Sequence, residues 1–211
     1  MKKLITAALA GAGALAFAGT ASAAPVVDGI TTVEVTVDLG DIEAGLVGSA
    51  TLADEDGLVV NFPVTGGDLD GLAGTIDHEG SGLTLTANDI TVSLTNFTID
   101  TVASTLSGMV MVDGSTVGRL DLFTFDLTGL GAQDVTNLDE PQIALLFTQM
   151  AADALANTFS IAALSALGGE EFGLAATAPV VGDVDVIPVP GAAILFVTGA
   201  AAFAARRRAR A

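Results

Sequence analysis

Residues 31–38, Thr-Thr-Val-Glu-Val-Thr-Val-Asp, alternate between apolar and polar side chains. Val33, Val35 and Val37 fall on one side, with Glu34, Thr36 and Asp38 on the other. A period of two predicts a strand with one buried face. Residues 45–52 and 57–62 are shorter strand candidates, and Asp54-Glu55-Asp56-Gly57 between them reads as a hairpin loop ending in an Asp-Gly turn signal. Residues 65–71 read as a Gly/Asp loop. Residues 73–78 and 82–87 predict two strands joined through Glu79-Gly80-Ser81. Ile90, Val92, Leu94, Phe97 and Ile99 mark a longer strand whose alternation slips at Thr95-Asn96, the sign of a bulge or bend. Residues 106–112 and 116–127 follow, with Asp113-Gly114 as the turn. Consecutive strands joined by short turns predict a mainly β fold, an antiparallel β-sandwich or an open barrel.

The period then changes. Asp139 can cap a helix and Gln142 can reach back to it as a capping box. Ile143, Leu146, Phe147, Met150 and Ala154 share one face at helical spacing, so a helix is expected to run to about Asn157. A second, Ala-rich helix is expected from Phe159 to Leu167, stopped by Gly168-Gly169. Helices therefore occupy about 140–167, and residues 172–181 form a last strand. No repeat of 20–50 residues is visible, which argues against a solenoid or propeller.

The two ends of the chain read as targeting segments. Met1-Lys2-Lys3, the apolar run at residues 4–18 and Ala21-Ser22-Ala23 have the layout of a secretory signal peptide. Cleavage after Ala23 makes Ala24 the new first residue; cleavage after Ala24 would leave Pro25 beside the cut. The organisation expected is a signal peptide at 1–23, an exported domain at 24–186 and a C-terminal signal at 187–211. Residues 191–205 carry no charge. A helix from Pro190 to Ala205 would span roughly 24 Å, short against a hydrocarbon core of about 30 Å. Arg206, Arg207 and Arg208 would stop it on the cytoplasmic side.

Pro188-Val189-Pro190-Gly191, the short apolar run and the arginine cluster together resemble the PEP-CTERM class of bacterial sorting signals. The resemblance covers about residues 187–208. Val189 stands where that class usually has Glu, and the motif is closer to its Val-Pro-x-Pro-Ala variants. The resemblance implies that signal peptidase and a membrane protease of the exosortase type act on the chain. It also implies that the tail helix sits in the inner membrane before processing. The bland alternative is a permanent anchor. Intact mass of the exported protein separates the two. The sorting reading expects a chain that starts near Ala24 and lacks Arg206, Arg207 and Arg208, whereas a mass that retains them marks an anchor.

Charge sharpens this picture. Six of the 7 Lys and Arg residues lie in the two ends, leaving Arg119 alone against 25 Asp and Glu in the exported domain, a formal charge of −24. Such a surface repels nucleic acid and favours cations. A saline habitat and divalent-ion binding both fit it. The chain has no Cys, Tyr or Trp and 10 Phe, which excludes a thiol nucleophile and Cys-ligated metals.

Candidate chemistry is sparse. His78, the one histidine, lies between Asp77 and Glu79 and reads as an exposed residue at a strand end, with a small metal or pH-sensitive site as the sharper reading. Asp54, Glu55, Asp56, Asp68 and Asp70 are acidic loop residues that a calcium ion could use, although their spacing matches no EF-hand. No G-x-S-x-G elbow is present. A haem would need His78, Met109 or Met111 as axial ligand. A glycosidase would need a carboxylate pair in a cleft without Tyr or Trp to stack sugars. The leading expectation is a non-enzymatic cell-surface or extracellular-matrix protein with no cofactor. A calcium- or glycan-binding module on a permanent anchor is the alternative, with extracellular polysaccharide open as a partner, and a secreted hydrolase is third.

Overall fold

The strand β1 (Ala24–Val35) carries a ladder on each edge. The computed structural model that shows this describes residues 23–54 and 58–182. On one edge β11 (Glu171–Val181) runs antiparallel to β1, from Val26 opposite Val181 to Val35 opposite Gly173. On the other, β4 (Val59–Pro63) pairs residues 30–34, and β5 (Gly66–Asp70) pairs Ala24 and Pro25. The circuit continues through β6 (Ala73–Ala87), β7 (Ile90–Asp100), β8 (Thr105–Val112), β9 (Ser115–Thr124) and β10 (Ile143–Phe147), each antiparallel to the next. β10 then joins β11, so the sheet closes on itself.

The mainly β, antiparallel architecture is therefore as the alternation predicts, but the sheet forms a closed barrel in place of a sandwich or an open one. Closure pairs the edges that an open sheet would leave exposed. The ladders are steeply staggered. Val35 pairs Gly173 and Gly173 pairs Leu145; from the next residue, Leu146, partners run through Thr124, Thr105, Asp100, Thr75 and Asp68 and return to β1 at Pro25. That is about ten positions before the start, a shear that tilts the strands and widens the interior.

Two local expectations change. Residues 65–71 are not a loop: β5 is held in register between β1 and β6. Glu79-Gly80-Ser81 is not a turn but a bulge within one continuous strand, where the β6–β7 register shifts between His78 and Gly82. β6 bends there and exchanges β5 for β2 (Glu43–Gly48) as its outer partner. The slip at Thr95-Asn96 is present as well. Asn96 has φ +52°, its side chain accepts from the Gly80 N–H at 2.8 Å, and the β7–β8 register shifts between Thr95 and Thr98. The facing irregularities thus bend both strands together. β3 (Thr51–Leu52) pairs β4, so β2 and β3 flank the space where β4 and β6 diverge.

The expected helix over 140–157 begins as a strand. Ile143, Leu145 and Phe147 are buried at a period of two, whereas Met150, on the expected apolar face, is 61% exposed. The helix is α2 (Gln149–Phe159), opened by Thr148, whose hydroxyl accepts from the Ala151 N–H at 3.0 Å, and closed by Ser160 in the left-handed region. Ala162–Leu167 is 3₁₀, not α. A short α1 (Ala132–Thr136) had no counterpart in the sequence pattern. α2 sets Ala151 and Leu155 over Val92, Leu94, Val110 and Leu122, enclosing a small void of about 60 Å³.

Both ends of the described domain leave from one place. The Gly182 N–H donates to the Pro25 carbonyl at 2.7 Å. Among the described residues no helix is long and apolar enough to cross a membrane, and the tail helix expected at 191–205 lies outside them.

Candidate functional site

A void of about 300 Å³ lies where β4 and β6 part. Its formation follows from the bulge. β4 and β5 keep one register against β1, while the far half of β6 bends away at Gly80 to Gly82. β2 covers the gap, but it brings Ala44 and Gly45 to the lining, side chains too small to fill the space. The remaining wall is aliphatic with one aromatic ring: Val35 and Leu39 at the end of β1, Val60 from β4, Leu83 and Leu85 from β6, and Phe172 from β11. Among the described residues no titratable side chain lines it. Leu46, Leu52 and Leu58 also line it, yet they are 37%, 52% and 40% exposed, so they form an apolar mouth. Exposed leucines beside an apolar cavity are the arrangement of a binding site rather than of a sealed core.

The cavity and the chain ends lie at opposite ends of the same ladder. Nine residues separate Val26, which pairs Val181, from Val35, which pairs Gly173. At about 3.3 Å per residue that is roughly 30 Å along the strand.

His78 lies deeper in the barrel and overturns the expectation of an exposed loop histidine: it is 1% exposed. Its Nε2 sits 2.8 Å from Thr31 Oγ1, and the Thr31 hydroxyl donates to Thr177 Oγ1 at 2.8 Å. That hydroxyl has one proton, so the pair geometry makes Nε2–H the donor to Thr31. Nδ1 is then a bare acceptor, and it has no hydrogen-bond partner among the described residues. Phe62 meets the ring edge-on, with centroids 6.5 Å apart. Burial lowers the imidazole pKa from 6.5 to about 4; the charge of Asp77 and the Phe97 backbone oppose this and are outweighed. The ring is neutral at pH 7. The sequence held the signal, since His78 is two residues from buried Ile76 and so shares its face.

Among the described residues no serine or carboxylate is hydrogen-bonded to this ring. The nearby Ser81 hydroxyl donates to the His78 carbonyl at 3.3 Å, not to the imidazole. Met109 and Met111 alternate with Gly108 and Val110 on β8, so they lie on the face away from the buried one.

Three of the acidic candidates are among the described residues. Asp68 and Asp70 flank buried Leu69 on β5 and are exposed, and Asp54 is exposed after β3. Glu55 and Asp56 lie outside the described residues. Among the described residues no three His, Asp or Glu side chains are grouped to hold a metal ion. Ala23 is exposed and Ala24 opens β1. Ala21, Pro188, Val189, Pro190, Gly191, Arg206, Arg207 and Arg208 lie outside the described residues. Arg119 is engaged on the barrel surface, donating to the Asn96 carbonyl at 2.9 Å and to Ser107 Oγ at 3.1 Å.

No family model matches the chain, and neither does any curated protein. Among solved structures, the C-terminal domain of HtaA from Corynebacterium glutamicum is similar over 75% of this chain and 99% of that one, with 14% identity and a TM-score of 0.49.

Proposed function

We propose that the chain is an exported, non-enzymatic binding protein of the cell surface or extracellular matrix, whose barrel takes up a small apolar molecule. The observation that carries this reading is the cavity of about 300 Å³, walled by aliphatic side chains and entered between exposed leucines. Its volume is at the lower end of the range of small-molecule sites.

The placement of the ends supports the cellular side of the reading. The leader precedes Ala24 and the tail follows Gly182, and these two positions are adjacent at the end of the barrel away from the cavity. While the tail holds the domain at the membrane, the cavity mouth is turned outward. A sorting protease acting near Pro188 and Gly191 would then pass an intact barrel to the exterior.

Titration with the neutral fluorophore N-phenyl-1-naphthylamine tests the binding reading. Saturable enhancement is expected, with about one site and a micromolar dissociation constant. Leu83→Trp, which fills the cavity, is expected to abolish it while the protein remains folded by circular dichroism. Absence of saturable binding to the wild-type protein contradicts the proposal.

A further inference from the structure

Among the described residues the exposed large apolar side chains gather mainly at the two ends of the barrel. Leu46, Leu52 and Leu58 ring the cavity mouth. Val27, Leu72, Val102, Val180 and Val181 lie towards the other end, where both chain ends leave. Backbone pairing fixes that grouping. Leu72 is on the turn between Asp70 and Ala73, which pair each other, and Leu69 beside it pairs Ala24. Val102 is on the neighbouring turn, held against the first: the Thr101 N–H donates to the Gly74 carbonyl at 2.9 Å, and Thr101 Oγ1 accepts from the Gly74 N–H at 2.7 Å. Val181 pairs Val26, next to Val27, and Val180 pairs Asp28. Two acids of this region are folded back on the backbone. Asp100 Oδ1 accepts from the Val102 and Ala103 N–H groups at 2.9 and 2.8 Å, and Asp28 Oδ1 accepts from the Gly29 N–H at 2.7 Å. Val102 is left 75% exposed at its tip. Apolar side chains scattered singly over a surface need no explanation, but a group of them on one end does.

The chain beyond this face indicates what covers it. Gly182 leaves here, and nine positions later Gly191 begins the uncharged run that the arginines close. Nine residues reach at most about 30 Å. A tail in the bilayer therefore keeps this end of the barrel within that distance of lipid, and the tether lets a weak contact suffice.

We infer that this end of the barrel is a lipid-contact face: while the tail is attached, Val27, Leu72, Val102, Val180 and Val181 seat in the interfacial layer of a bilayer. This rests on the membrane-held stage of the reading proposed above and adds a contact made by the barrel itself. Asp70 is exposed beside Leu72, so the contact is shallow and depends on the tether. Release of the tail by a sorting protease then frees the barrel.

The chain has no Cys, so one cysteine at a time can carry an environment-sensitive fluorophore. Leu72→Cys, Val102→Cys and, at the cavity mouth, Leu52→Cys are labelled with nitrobenzoxadiazole in the full-length chain. Each is reconstituted in phosphatidylcholine vesicles with and without nitroxide-bearing lipid. Emission from positions 72 and 102 is expected to shift to the blue and to be quenched at a depth of about 5–10 Å, while position 52 stays aqueous. Adding Val102→Asp should weaken the quenching at position 72. Chains that float with the vesicles while positions 72 and 102 report water overturn the lipid face and leave the tether intact. Full-length chains that do not float overturn the membrane-held stage and the lipid face with it. A blue shift without nitroxide quenching marks contact between copies and overturns lipid as the occupant.

Discussion

Lowering the pH from 7 to 4 is expected to destabilise the folded protein by about 3 kcal/mol through His78 alone. The folded imidazole titrates at about 4 and the unfolded one near 6.5. Between those values the unfolded chain takes up a proton that the native state refuses. This contribution to stability is therefore complete above pH 6.5 and is lost as the pH falls towards 4. The cause is structural. Nε2 is committed to Thr31, and a second ring proton would place a charge in a site that burial has stripped of water. The many carboxylates titrate in the same range, so the informative quantity is the difference from His78→Gln, which keeps a donor for Thr31 and cannot titrate. Urea denaturation of both proteins at pH 7.5, 5.5 and 4.5 should show the wild type losing stability relative to the variant. Parallel pH dependences would mean that the histidine is not buried and neutral.

Phe172→Ala is expected to cost about 3–5 kcal/mol, the usual range for removing a buried aromatic ring. Phe172 is 5% exposed, and its centroid lies 4.7 Å from that of Phe123 and 5.4 Å from that of Phe147. This trio joins β9, β10 and β11, the part of the ring where β10 is short and its ladder to β9 brief. Phe172 also lines both the large cavity and the small void beside His78. Its truncation should merge them, so the destabilised protein should accept a bulkier neutral fluorophore than the wild type does. Guanidinium denaturation measures the first effect and probe titration the second. A loss below about 1 kcal/mol would show that the trio does not hold this side of the barrel together.

Much of the strand order was legible because one face of most strands is buried. Val92 and Leu94 announce β7, and its slip at Thr95-Asn96 announces the bulge. What local pattern lacks is long-range pairing. Nothing near Val33 indicates that it lies opposite Ala175, yet that ladder decides between barrel and sandwich. Residues 143–150 are a short apolar run that fits both periods: Ile143, Phe147 and Met150 at helical spacing, Ile143, Leu145 and Phe147 at strand spacing. Pairing with β11 selects the strand. β5, Gly-Gly-Asp-Leu-Asp, has weak strand propensity, and its two neighbours impose the conformation. The cavity was illegible for a different reason. It arises from what Ala44 and Gly45 do not fill, and small residues carry no sign of which space they leave empty.

The account turns on whether an apolar molecule enters that cavity, and methyl NMR during titration with N-phenyl-1-naphthylamine reads this directly. The predicted result is a set of shifts centred on Leu46, Leu52, Leu83 and Leu85, with Val110 and the α2 residue Leu155 above it unmoved. Shifts confined to the α2 contact, or none at saturating probe, would contradict it.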